Sequence, residues 1–223
     1  MRIFRALKNR LSEFHRDEEG SVVIEGILVT SFLTWWYVAS FQYFDAYRQK
    51  NTNLKAAYTI ADMLSRETGP TSDDPDAAEV NQTYVNGLNQ MFDYLSNARE
   101  PTWIRVSSVY FDENDDKYHV DWSATSGSGH PIMTTAAIQN YKNSIPVLPR
   151  GGSVILVETF MEYEPMFAIG LDEQTFSTFI TTAPRFASCL PWQTYGCGID
   201  AAGNWTNPDI PDLPDPEADP DSI

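Results

Sequence analysis

Two cysteines, three histidines and 15 basic residues against 31 acidic ones are what this 223-residue chain has little of. Each shortage removes a class of function. Cys189 and Cys197 have no further cysteine or nearby histidine to complete a metal site, and His15, His119 and His130 stand far apart. No HExxH, nucleophile elbow or phosphate loop occurs, and Ser126-Gly127-Ser128-Gly129 lacks the Gly-x-Ser-x-Gly spacing. Nothing points to an enzyme or a cofactor. From Thr71 onward there are 6 Lys or Arg against 23 Asp or Glu, which holds nearly all of the net −16 charge and leaves no basic patch for nucleic acid. Asp112, Asn114 and Asp116 imitate the start of a calcium loop. Lys117 stands where the turn glycine belongs and Ser123 where the bidentate Glu belongs, which excludes an EF-hand and leaves only a looser Ca²⁺ site open.

What the chain does have is a long apolar run. From Val22 to Phe44, 23 residues, Glu25 is the only formally charged side chain. At about 1.5 Å per residue that is roughly 35 Å of helix, enough to cross a hydrocarbon core of about 30 Å. An acid at the centre of a span costs on the order of 2.5 to 3.5 kcal/mol, so Glu25 calls for hydration at the headgroup boundary or for a cationic partner. Arg2, Arg5, Lys8, Arg10 and Arg16 precede the run, whereas only Arg48, Lys50 and Lys55 follow it closely. That asymmetry predicts an N-terminus inside the cell. The acidic bulk is then exported, and there Cys189 and Cys197, with seven residues between them, are expected to pair. So short a loop is worth about 2 to 3 kcal/mol in the chain-entropy account. A secretory signal peptide cut at Val38-Ala39-Ser40, leaving Phe41 first, is the competing explanation. The long basic leader, the acidic Asp17-Glu18-Glu19 and the bulky Trp35, Trp36 and Tyr37 argue against it.

Beyond the run, Tyr47, Leu54, Ala57, Tyr58, Ala61 and Leu64 recur at three- and four-residue steps, which continues the helix with an amphipathic stripe until Gly69-Pro70 stops it. Leu54, Ala57 and Leu64 are the expected core of that stripe. Ser72, Asp73 and Asp74 offer caps for a second helix over Asp76 to Asn97, buried through Val80, Tyr84, Leu88, Met91, Phe92 and Leu95. Trp103 to Phe111 and Lys117 to Ala124 read as a hairpin around Asp112 to Asp116. Ser126 to His130 is a Gly/Ser connection, and Ala136 to Asn143 forms a short helix. Ser153 to Tyr163, with Val154-Ile155-Leu156-Val157, predicts a well-covered central strand, and Phe176 to Phe186 a weaker last one. The sum is an α+β fold: a long N-terminal helix, half transmembrane and half amphipathic, packed on an antiparallel sheet with a second helix. Asn207 to Ile223 alternates proline with acids and reads as a disordered tail.

Gly20-Ser21-Val22-Val23-Ile24-Glu25 resembles the class III signal of type IV pilin-like proteins. The resemblance implies cleavage between Gly20 and Ser21 by a membrane-embedded prepilin peptidase, and an assembly role for the Glu25 carboxylate paired with the new amine of Ser21. Ile60-Ala61-Asp62-Met63-Leu64-Ser65-Arg66, Ile145 to Pro149, Gly151 to Glu158, Tyr163-Glu164-Pro165-Met166-Phe167 and Thr182 to Phe186 are similar to TadE/TadG-like minor pseudopilins of tight adherence (Flp) pili. The resemblance spans most of Glu18 to Phe186 and thins between Thr71 and Pro146. It implies a pilin-like fold with a cytoplasmic leader over residues 1–20, a transmembrane helix over 21–44, a stalk helix over 45–70, a periplasmic head over 71–206 and a tail over 207–223. The partners it implies are the peptidase, other pilins or pseudopilins, the assembly platform of the pilus and inner-membrane lipid. An aromatic-rich span and the acidic tail depart from the family pattern. The alternative is an uncleaved, signal-anchored periplasmic receptor or scaffold.

Overall fold

The structure, a computed structural model, describes residues 21–68, 80–112, 116–127, 129–149, 152–167 and 170–193. One continuous helix, α1 (Ser21–Arg66), comes first. It is followed by α2 (Gln82–Ser96), β1 (Thr102–Asp112), β2 (Lys117–Thr125), α3 (Thr135–Ile138) running into a 3₁₀ turn (Gln139–Ser144), β3 (Ser153–Tyr163) and β4 (Gln174–Thr182). Two compact units result. One joins α1 up to Ala46 with Pro165–Asp172, and the other takes Tyr47–Glu164 with the described residues from Glu173 on. The fold is α+β, with a long N-terminal helix and a four-stranded antiparallel sheet of order β2-β1-β3-β4.

Within the second unit the sheet is covered on both faces, which explains the unbroken apolar run of β3. Ile155 and Val157 point to one side with Ile104, Val106, Trp122 and Ala124, where α1 and α2 supply Ala57, Ile60, Leu64, Val85, Leu88 and Phe92. Val154 and Leu156 point to the other, with Val109, Tyr118, Met133, Ile138 and Ile145. A strand buried on both faces cannot alternate polar with apolar residues. The β1–β2 ladder changes register between Ser108 and Val109: Ser108 faces Trp122 and Val109 faces Val120, so Asp121 is the extra residue of a β-bulge.

Three sequence expectations are corrected. The buried stripe of α1 is rotated by roughly 70°, at 100° per residue, from the expected one. Ala57, Ala61 and Leu64 are buried as expected, but Asn53, Ala56 and Ile60 complete the face, while Tyr47 (67% exposed), Leu54 (39%) and Tyr58 (58%) turn outward. Ala56 and Ile60 give this face its apolar surface, and Asn53 joins it because its amide oxygen accepts from Thr159 Oγ1 (3.1 Å) and Thr178 Oγ1 (3.3 Å). Second, α2 begins at Gln82 rather than Asp76. Its cap is Asn81, whose Oδ1 accepts from the Tyr84 amide at 2.9 Å; Ser72, Asp73 and Asp74 lie outside the described residues. Third, β4 spans Gln174–Thr182 and stops short of Phe186. Past it the Arg185 amide donates to the Ser65 carbonyl (2.8 Å) instead of extending the ladder, and Phe186 is exposed.

Candidate functional site

The first half of α1 is the unusual surface of this chain. Every described side chain from Val22 to Tyr37 is exposed, and Val22, Ile24, Leu28, Phe32, Leu33, Trp35 and Trp36 spread around the helix instead of along one stripe. A helix apolar all round needs an apolar surrounding. Its most apolar 18-residue window has a mean hydropathy of 1.6 with none of it buried, and by length and composition it suffices for one membrane crossing. Two hydroxyls of the run are satisfied locally: Thr34 Oγ1 donates to the Thr30 carbonyl and Ser40 Oγ to the Trp36 carbonyl, both at 2.8 Å. Such i−4 bonds let hydroxyls enter lipid without an unsatisfied donor. Phe32 lies 6.3 Å from Trp35 and 6.4 Å from Trp36, and Tyr37 lies 4.7 Å from Phe41, so the aromatics form a band along the run.

Ser21 opens the helix and Glu25, exposed, follows four residues later. Gly20, the expected peptide-bond partner of Ser21 at the cleavage point, lies outside the described residues. So does Cys197. Cys189 is fully buried, in a segment pinned on both sides: Ser153 Oγ donates to the Ser188 carbonyl (2.9 Å), Trp122 Nε1 to the Leu190 carbonyl (2.8 Å), and the Gln193 amide to the Val80 carbonyl (2.8 Å).

The second unit holds the remaining polar groups. Asp116 meets Lys142 Nζ at 3.2 Å, so its carboxylate faces a cation already, and Asn114 of the calcium-like triplet lies outside the described residues. His119 stacks on Tyr110 (5.4 Å between centroids) and His130 on Trp103 (4.3 Å), which itself stacks on Phe160 (3.6 Å). Both histidines are thus aromatic packing partners. A cavity of about 380 Å³ is lined by Glu100, Glu162, Tyr163, Glu164, Glu173, Gln174 and Thr175. Among the described residues no His, Cys, Asp and Glu side chains converge as a metal-holding group.

Sequence reasoning missed three polar features of this unit. Arg105 and Glu158, cross-strand partners on β1 and β3, form a buried bidentate pair (Nε to Oε2 2.6 Å, Nη2 to Oε1 2.9 Å), and Arg105 Nη1 also donates to the Pro131 carbonyl (3.0 Å). Asp121, in the bulge, is pushed up to about 7, chiefly by burial, with the Ser108 hydroxyl pulling the other way. Burial, and then the hydrogen bond to Glu67 (2.7 Å), raises the Tyr84 phenol well above its ordinary value. None of these lies on the exposed stretch of α1, Val22 to Tyr37. No family model, curated protein or solved structure matches the chain.

Proposed function

We propose that the protein is a TadE/TadG-like minor pseudopilin of a tight adherence (Flp) pilus. It would be processed between Gly20 and Ser21 by prepilin peptidase, stay in the bacterial inner membrane through α1, and support pilus assembly by lateral helix packing and contacts of a periplasmic sheet unit. The observation that carries this reading is the division of one 46-residue helix into an apolar stretch, Val22 to Tyr37, that is exposed among the described residues, and a second half that packs on an antiparallel sheet. A helix that only completed a core would be covered along its length.

Glu25 supports the same reading. In lipid an isolated carboxylate is unfavourable, whereas a carboxylate paired with an amine removes part of the desolvation cost of both. The amine freed at Ser21, on a neighbouring subunit, is such a partner. The chemistry assigned to the chain is that of a peptidase substrate and a structural subunit, not of a catalyst, with pilins or pseudopilins, the assembly platform and membrane lipid as partners. A Cys189–Cys197 disulfide belongs to the same periplasmic assignment.

The test is the mass of the membrane-extracted chain from cells with and without prepilin peptidase. Loss of Met1 to Gly20 only where the peptidase is present is the expected result. Retention of the leader in both strains refutes the proposal and favours the signal-anchored receptor or scaffold.

A further inference from the structure

We propose that the connection between β3 and β4 is a second membrane contact, inserting Met166 and Phe167 into the lipid interface beside the C-terminal end of the apolar run. The inference rests on α1 spanning the bilayer. Within the unit formed by α1 up to Ala46 and Pro165–Asp172, two hydrogen bonds hold this connection on the helix. The Phe167 amide donates to Gln42 Oε1 (3.3 Å), and Tyr43 Oη donates to the Gly170 carbonyl (3.1 Å). Gly170 is required for the second: its φ is +71°, and a Cβ there would stand 3.1 Å from Tyr43 Oη.

The level of the two clamps fixes the depth. Gln42 and Tyr43 occupy the last few ångströms of the roughly 35 Å run, where a span of that length reaches the headgroups. Groups bonded to them share that level. Pro165 to Leu171 carries no charged or polar side chain in sequence, and Met166 (68% exposed) and Phe167 (51%) present apolar surface at the level of Gln42 and Tyr43, whose helix neighbours Phe41 (57%) and Phe44 (70%) are exposed in the same unit. Attachment of this exposed apolar pair to the end of the exposed apolar run is what selects lipid as its occupant. Aromatic side chains favour that layer. Exposed Glu164 and Asp172 flank the connection and keep it shallow, since their carboxylates stay in water; a mostly zwitterionic membrane is therefore the suitable one.

The experiment uses the full chain in nanodiscs of phosphatidylcholine with a small fraction of phosphatidylglycerol, nitroxide-labelled one site at a time at M166C, F167C, L33C and Y94C. Positions 33 and 94 are controls on exposed sites of α1 and α2. The readout is the ratio of collisional accessibility to oxygen and to a water-soluble nickel chelate. Ratios at 166 and 167 several-fold above that at 94, and below that at 33, are expected. A ratio at 166 and 167 equal to that at 94, with 33 lipid-exposed, overturns the loop contact and leaves the span intact. Low access to both reagents at 166 and 167 means that protein covers the patch, and overturns it too. A water-like ratio at 33 overturns the span and the loop contact together.

Discussion

Replacing Asp121 by Asn is expected to stabilise the protein at neutral and alkaline pH and to leave it unchanged in acid. The bulge places this side chain opposite no partner residue, largely out of water, and burial lifts its carboxyl from 3.8 to about 7. Below about pH 4 the group is protonated in the folded and unfolded chain alike, and Asp and Asn are equivalent. Between pH 4 and 7 the unfolded chain ionises while the folded chain keeps its proton. Stability therefore falls as pH rises through this window, and the loss is complete above pH 7. The gap between 3.8 and about 7 corresponds to at most about 4 kcal/mol. For a chain of this size that is a melting difference on the order of 10 °C. Near-UV circular dichroism melts of the full-length chain in detergent micelles, from pH 4 to pH 8, give the comparison. The wild-type midpoint should drop away from that of the D121N variant as pH increases. Parallel profiles for the two proteins refute the reasoning, because other carboxylates contribute equally to both.

The Arg105–Glu158 pair gives a second pair of expectations: Glu158→Gln, which leaves a buried guanidinium without its counter-charge, costs about 3 to 5 kcal/mol in denaturant titration. The double variant R105M/E158L stays within about 1 kcal/mol of wild type, and an equal loss in both assigns the effect to packing. Phe92→Ala empties a fully buried site between α2 and the sheet and lowers stability by about 3 to 5 kcal/mol in the same titration. Asn81→Ala removes the cap of α2 and costs about 1 kcal/mol; no change means that another group takes over the Tyr84 amide.

Local pattern carried the hairpin and β3, whose bounds fall within a residue or so of those read from the sequence. Both depend on aromatic and β-branched runs broken by strong turns, where propensity and packing agree. The phase of the second half of α1 was not legible, because its buried face includes Asn53, whose partners Thr159 and Thr178 lie more than a hundred positions away. The start of α2 differs for a related reason: several residues before it have cap-forming side chains, and the one that meets the Tyr84 amide is Asn81. Arg105 with Glu158 was invisible since each is an unremarkable charge in its own strand, 53 positions apart. Of the candidate site, the exposed apolar run was legible, because it depends on length and charge within one helix.

That one helix also sets a condition on Glu25. It is exposed among the described residues, one turn after Ser21, and in the proposed fibre its counter-charge is an N-terminal amine. Cleavage at Gly20 would create that amine at the positive end of the helix dipole, where a cation is unfavourable by about 0.3 to 1 kcal/mol. The new charge gains from any carboxylate it reaches, and in lipid the gain exceeds that at a wet surface. Two perturbations must then have one effect. Glu25→Gln deletes the acid, and acetylation of the mature Ser21 amine deletes the base. Each should lower subunit association in reconstituted membranes, read as energy transfer between labelled copies, by about tenfold or more, while membrane insertion is unchanged. Combining them should add little to either alone, because a pair can be broken only once. Full association of the acetylated chain would mean that the acid is satisfied by headgroup water, and the ionic account of assembly fails.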